Sequence, residues 1–341
     1  MTTETFQARP TPAPASAGAP GVLAPSPLYN AAWMIRLIGS VTGEAEEVVL
    51  ARMRREFWWP GSSVSEDFAR RGLERYAWGE GLIRFYGETD AFMYELAVWN
   101  RNWLKRLLRG SVVAYVTRQS LRLGRPLRVL SIGDGLGFDC LELSRAGHDV
   151  TYYELPGRSE TFARRLFAET GASVTVITDL GGAKDEGYDA VVCLDVLEHA
   201  PDPSTVVAEV VRRLRPGGLG LFSAPFFLIL PWYPTHLKSN QRYSGSLALY
   251  DQHGLRLVDG SWTWAPLVLQ KPDAAGRVYV NWFKVPIVVL LIGPLLFLGR
   301  WFSWLFLGCH VLRWMTNRWF VPPAPVQADP RRTQGTASWS S

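Results

Sequence analysis

The chain of 341 residues has only three cysteines, Cys140, Cys193 and Cys309. They lie far apart, no two stand at metal-ligand spacing, and an odd number cannot close a disulfide framework. Such sparing use fits a reducing cytosol. The N-terminus, MTTETFQARPTPAPASAGAPGVLAPSP, lacks the apolar core of a secretory signal. Its Pro and Ala bury too little surface to fold, so residues 1–27 are expected to be a disordered leader, and residues 321–341 a tail of the same kind. Acidic residues are missing from Ala97 to Gly133, where eight Lys or Arg occur. An unbroken apolar run of about 20 residues, the length of a straight membrane span, is missing too. The best candidate, VPIVVLLIGPLLFLGRWFSWLFLGCHVL at 285–312, is split by Arg300 after 15 uncharged residues.

What is abundant is tryptophan, at 15 residues, a count that points to a lipid interface or an aromatic-lined cavity. Net charge is +5. A basic excess can attract nucleic acid, anionic lipid or an acidic substrate, and an ordinary mildly basic protein carries the same charge. Residues 28–124 have helical periodicity and form a candidate cap or substrate region. Ser65, ahead of two acidic residues, is a plausible helix cap. Trp99 and Trp103 stand at helical spacing beside Arg101, Lys105, Arg106 and Arg109. Such a helix suits an anionic membrane surface, or else packs one face on the next domain and solvates the other. The apolar residues of 284–320 predict membrane-associated helices, bent at Gly293-Pro294 and Gly299-Arg300, with Trp282, Trp301, Trp304, Trp314 and Trp319 at the interface. The alternative is a helical pair packed on the preceding domain.

From Pro126 the period changes. Short apolar runs (LRVLSIG, DVTYYEL, SVTVITDL, DAVVCLDVL, LGLFSAPF) alternate with helical stretches, and GLRLVDGSWTW reads as a later strand. The pattern predicts an α/β domain over 125–283, a doubly wound, mostly parallel Rossmann-like sheet covered on both faces. Ligands of such sheets bind at the carboxyl ends of the strands, where strand order reverses. The first turn there is IGDGLG. Gly133, Gly135 and Gly137 permit tight turning and close backbone approach. Dinucleotide folds space their glycines G-x-G-x-x-G, whereas here Phe138 takes the sixth position. Glu154 ends the next strand, and a carboxylate accepts two hydrogen bonds from a vicinal diol.

These residues, with YDAVVCLDVLEHAPDP and VVRRLRPGGLGLFSAPF in that order, resemble the class I S-adenosylmethionine-dependent methyltransferases over roughly residues 126–265. The resemblance implies S-adenosyl-L-methionine as cofactor, held by Gly133, Asp134, Gly135 and Gly137. It also implies Glu154 on the ribose hydroxyls, Asp179 near the adenine amine, and Asp195 and Val196 where the fourth strand ends. Solvated carboxylates are the plainer reading of Glu154 and Asp179 taken singly. The family often has Asp two residues before the first glycine. This chain has Ser131 there and Asp134 inside the turn, either beside the cofactor's ammonium or facing solvent.

Methyl transfer asks mainly for in-line orientation, and for a base only if the nucleophile must lose a proton. His236, in the aromatic segment FFLILPWYPTHLKSNQRYSG, and His199 are the candidate bases, His199 equally a structural residue. Lys238 and Arg242 could meet an anionic group, and Tyr233 and Tyr243 pack or orient a substrate. No Ser-His-Asp or metal constellation is visible. The loop after the fourth strand lacks the [DN]-P-P-[YF] signature of base-amine methylation and a Pro-Cys nucleophile, which disfavours nucleic acid. The expectation is a methyltransferase for a small-molecule, lipid or lipid-linked acceptor at the cytoplasmic membrane face. The alternatives are a catalytically degenerate scaffold of the same fold and, less well supported, a dehydrogenase.

Overall fold

The computed structural model describes residues 26–261 and 264–301. Most of the expected leader, the tail, Cys309, Trp304, Trp314 and Trp319 lie outside the described residues. Six α-helices precede the first described strand: α1 (Ala31–Thr42), α2 (Glu46–Trp58), α3 (Ser62–Arg70), α4 (Glu80–Glu88), α5 (Ala91–Arg101) and α6 (Trp103–Leu123). Asn30 caps α1 by accepting the Trp33 N–H at 3.0 Å. Ser65 is not a cap but lies inside α3. The buried carboxylate of Glu56, on the preceding helix, accepts the N–H groups of Gly61 and Ser63 and the Ser62 hydroxyl, and so starts α3 earlier. Asn102 divides α5 from α6 and accepts the Leu104 N–H at 2.9 Å.

The α/β part continues through β1 (Arg128–Ile132), α7 (Phe138–Arg145), β2 (Asp149–Tyr153), α8 (Arg158–Thr170), β3 (Val174–Ile177), β4 (Tyr188–Leu194), α9 (Pro203–Arg213) and β5 (Leu214–Ser223). Then come α10 (Ala248–Asp251), β6 (Arg256–Gly260) and β7 (Leu267–Gln270). Strand order is β3-β2-β1-β4-β5-β7-β6, parallel except for β7, which runs antiparallel to both neighbours. The order reverses between β1 and β4, which places a crevice above their carboxyl ends. Alternate residues of β1 enter opposite cores: Val129 packs with α6, α7 and α8, and Leu130 with α9 and α10. β7 was not foreseen. It is four residues, all buried between two strands, so it lacks the alternation that marks a strand in sequence.

After β7 the chain is helical without a break from Lys284 to Gly299, through α11 (Lys284–Ile287), a π-helical turn (Val288–Ile292) and α12 (Gly293–Gly299), with helical backbone at Gly293 where a break was expected. No described helix is long and apolar enough to cross a membrane. α12 sits directly on backbone. Gly245 is in the left-handed region, and a Cβ there would stand 2.1 Å from the Gly293 carbonyl oxygen. Ser244 Oγ donates to the Leu296 carbonyl at 2.7 Å. The Arg300 guanidinium covers the Phe297 ring, 3.8 Å from its centroid.

The join of the helical region to the sheet is ionic as well as apolar. Asp189, buried at the start of β4, accepts Arg125 at 2.7 and 2.8 Å, the Arg128 N–H at 2.8 Å and Arg215 at 2.5 Å. Burial alone would raise its pKa, but these donors outweigh burial and hold it at about 2. The folded-state pKa lies below the unfolded one, so the stabilisation is complete above the unfolded pKa and disappears as pH falls toward 2. Asp189→Asn should cost on the order of 2–3 kcal/mol near neutral pH. It should also flatten the fall in denaturant stability between pH about 4 and about 2, measured by urea unfolding across that range.

Candidate active site

The turn after β1 lies at the crevice. Gly133, Gly135 and Gly137 have φ of 70°, 63° and 81°, where side chains are disfavoured. Space forbids side chains as well: a Cβ on Gly133 would lie 2.5 Å from Val196 Cγ2, and one on Gly135 2.7 Å from Leu96 Cδ1. Glu154, at the end of β2, accepts the Gly135 N–H at 2.9 Å through Oε2 and the Leu155 N–H at 3.0 Å through Oε1. Burial raises the pKa of this carboxyl, against the pull of those two N–H groups. Each oxygen keeps a further acceptor site, so the carboxylate can still take a diol. Tyr152 Oη donates to the Gly135 carbonyl at 2.6 Å and pins the turn from below.

Asp134, half-buried, turns its carboxylate onto the start of the following helix. Its Oδ1 accepts the Asp139 N–H at 3.2 Å and its Oδ2 the Cys140 N–H at 2.7 Å, so it caps α7. Burial, then the neighbouring charge of Asp139, pushes its pKa up to about 7. Asp139 goes the other way. Burial would raise it, but Lys105 Nζ at 3.0 Å and Arg109 Nε at 2.6 Å hold it below the usual carboxylate range. Ser131 is buried in β1.

Across the crevice, Asp195 has a positive φ of 58° and is held by the Ser223 hydroxyl at 2.8 Å and the Trp99 indole N–H at 3.4 Å. Lys105 Nζ lies 3.6 Å away. Asp179 is exposed just beyond β3 and accepts the Gly181 N–H at 2.9 Å. Leu96, Trp99 and Lys105 were not singled out as site residues. They come from the helical region and reach the crevice only through the fold, although Trp99 and Lys105 carried a signal as an aromatic and a cation in an acid-free stretch.

The two candidate bases meet. The rings of His199 and His236 stand edge to face with centroids 4.7 Å apart, and Tyr233 stacks on His236 at 5.1 Å. His199 Nδ1 contacts the Thr235 carbonyl at 3.2 Å and Tyr86 Oη at 3.1 Å. His236 Nδ1 contacts the Leu228 carbonyl at 2.6 Å. A carbonyl only accepts, so Nδ1 of His236 carries hydrogen and its Nε2 keeps a lone pair, whereas Nδ1 of His199 lies between a carbonyl and a hydroxyl that can itself donate. Burial lowers both pKa values, that of His199 to about 4, so both rings are neutral near pH 7. Tyr243 packs on Phe226, 5.7 Å between centroids, and Arg242 covers the Tyr243 ring at 4.8 Å.

A parallel sheet with its crevice over a glycine turn, and a carboxylate bonded across that turn, defines a nucleoside-binding α/β fold. Residues 130–222 match a family model described as a methyltransferase domain. The ubiquinone biosynthesis O-methyltransferases of Proteus mirabilis (strain HI4320) and Bordetella avium (strain 197N) are similar to the chain, at 35% and 36% identity over 100 residues. The matches cover 28% of this chain and 41% and 42% of those proteins, so the chain spans about two fifths of the curated relatives it matches. Among solved structures, the 1,6-didemethyltoxoflavin-N1-methyltransferase of Burkholderia thailandensis is similar at 20% identity and a TM-score of 0.39, over 61% of this chain and 91% of that one. Over residues 130–222 the similarity is to S-adenosylmethionine-dependent methyltransferases, whose cofactor is S-adenosyl-L-methionine.

Gly133→Ala should abolish measurable S-adenosyl-L-methionine binding by calorimetry. Adding Val196→Ala should restore part of it, because the 2.5 Å contact is relieved while the backbone strain of about 1 kcal/mol stays. Glu154→Gln, which swaps one acceptor oxygen for a donor, should weaken binding roughly 10- to 100-fold with the fold retained by circular dichroism.

Proposed function

We propose that the chain transfers a methyl group from S-adenosyl-L-methionine to a small-molecule acceptor that is a lipid or lipid-linked, at the cytoplasmic face of a membrane. The methyl-donor half of this reading is carried by the Glu154–Gly135 bond across the glycine turn, which leaves a carboxylate and a side-chain-free backbone facing one crevice. Bound there, S-adenosyl-L-methionine supplies an electrophilic methyl on a sulfonium whose departure leaves a neutral thioether. The chain's own task is orientation. Glu154 fixes the ribose end, Val196 and Leu96 wall the turn, and Trp99 with Asp195 closes the crevice from the side of α5. Asp179 stands beyond β3, where the base of the cofactor would extend. A reacting pair held at about 3–3.5 Å in line gains most of its rate from that positioning. The proton of an acceptor hydroxyl passes to the histidine pair, His199 on the loop after β4 and His236 on the segment after β5, of which His199 reaches solvent with a side chain 24% exposed.

The lipid half of the reading is supported by the surface that follows β7. Tyr279, Trp282, Phe283, Leu290, Leu291, Leu295, Leu298 and Trp301 are all exposed, Trp282 at 79% and Leu290 at 71%. So large a set of apolar and aromatic side chains marks an interaction surface, and tryptophans suit the level of lipid headgroups. The ubiquinone biosynthesis O-methyltransferases add to it by their names, which place them in the making of ubiquinone. Lys105 and Arg109, two of the cations that suggested an anionic membrane surface, are buried against Asp139; the outward cations of α6 and its neighbours are left for that role.

Full-length protein incubated with methyl-labelled S-adenosyl-L-methionine and an organic extract of membranes should release S-adenosylhomocysteine and carry label into the organic phase. Label confined to water-soluble acceptors would end the lipid reading. Absence of turnover by protein that still binds the cofactor would favour the degenerate scaffold. Leu290→Glu with Leu291→Glu should reduce flotation with anionic vesicles severalfold and leave cofactor binding unchanged.

A further inference from the structure

We infer that Trp99, a residue of the helical region, reads the positive charge of the cofactor. One face of its indole is the surface offered to the sulfonium, so that the chain holds S-adenosyl-L-methionine better than the neutral product S-adenosylhomocysteine. This role rests on the assignment of the crevice to that cofactor. It begins with the way α5 crosses the crevice. Met93, Tyr94, Ala97 and Val98 of this helix are buried, whereas Phe92, Leu96 and Trp99 form a half-buried row at helical spacing. The contacts of the row place it along the crevice. Phe92 stacks on Tyr86 with centroids 5.1 Å apart. Leu96 Cδ1 would lie 2.7 Å from a Cβ on Gly135. Trp99 directs its Nε1–H to Asp195 Oδ2 at 3.4 Å. Val196, the residue after Asp195, bounds Gly133, so Trp99 and Asp195 meet beside the glycine turn.

The charges around the turn leave this task to a ring. Asp134, the one acid of the turn, gives its two oxygens to the N–H groups of Asp139 and Cys140. Ser131 stands where an acid would otherwise precede the glycines. The nearest carboxylate across the turn is Asp195. Its N–H donates to the Ser223 carbonyl at 2.7 Å, and its Oδ1 accepts the Ser223 hydroxyl at 2.8 Å. Lys105 Nζ already lies 3.6 Å from its Oδ2. A cation is drawn to the face of an aromatic ring, and to tryptophan most strongly. The edge of Trp99 is engaged by Asp195, which leaves its faces, and an N–H that donates to a carboxylate polarises the ring toward more negative faces. Methyl transfer forms a bond from the acceptor atom to the methyl carbon and breaks the carbon–sulfur bond, whose electron pair stays on sulfur. The positive charge is then gone from sulfur, and the attraction of the ring goes with it. Trp99 thereby favours the reactant and releases the product.

Calorimetry of the full-length protein with S-adenosyl-L-methionine and with S-adenosylhomocysteine gives the ratio of the two affinities, which needs no acceptor and no turnover. Trp99→Leu, checked for folding by circular dichroism, should lower that ratio roughly 3- to 30-fold, the range set by loss of a cation–ring contact. A trifluorinated tryptophan incorporated at position 99 keeps the shape and the N–H and withdraws electron density from the faces. It should lower the ratio in the same direction by weakening S-adenosyl-L-methionine and leaving S-adenosylhomocysteine unchanged. A ratio that stays at the wild-type value with the fluorinated ring overturns the role, as does equal weakening of both ligands by Trp99→Leu, which would make Trp99 a packing wall alone. Wild-type protein that binds neither ligand overturns the cofactor assignment instead.

Discussion

Asp139 is a buried carboxylate between two buried cations from another part of the chain, and much of the crevice depends on that arrangement. Lys105 and Arg109 bring α6 against α7. Lys105 extends the same charge toward Asp195, and Arg109 also binds Asn100 at the end of α5. Removing one member of such a buried set leaves an uncompensated charge, at a cost of about 3–5 kcal/mol. The helical region is thus fastened to the sheet by charges that cannot separate cheaply. The position of Leu96 and Trp99 over the glycine turn follows from it.

The same ion pairs explain an oddity of the sequence. Ala97 to Gly133 holds eight cations and no acid. Read alone, that stretch looks like a surface for something anionic. In the fold, Lys105 and Arg109 find Asp139, and Arg125 finds Asp189, all acids of the α/β domain. For these three of the eight cations, the charge imbalance is an interface with the next segment. Sequence could not assign the partners, because pairing across 34 residues, from Lys105 to Asp139, or 64, from Arg125 to Asp189, depends on the packing of α6 and not on spacing.

The sheet was legible because its strands are short apolar runs separated by helices, and the glycine turn because its spacing departs from the dinucleotide pattern. Glu154 was singled out by its distance from that turn, and its carboxylate accepts the Gly135 N–H there. Asp134 was the hardest residue to read: a carboxylate five residues before Asp139 and six before Cys140 becomes a helix cap only when the turn folds back over α7. β7 and the division at Asn102 were hidden for a different reason. Each depends on a local detail, an antiparallel return or a single side-chain cap, that leaves hydrophobic periodicity almost unchanged. The meeting of His199 with His236 was beyond reach as well, since the two stand 37 positions apart with an entire strand between them.

Gly245 and Gly293 have a mechanical meaning. Where helices pack through side chains, rotamers take up small displacements before the backbone moves. Here backbone bears on backbone, and Ser244 is tied to the carbonyl of Leu296. The joint has no slack. A tilt imposed on the apolar helix by whatever it rests against passes directly into the loop beside Tyr243, and from there along the chain to the segment that carries His236.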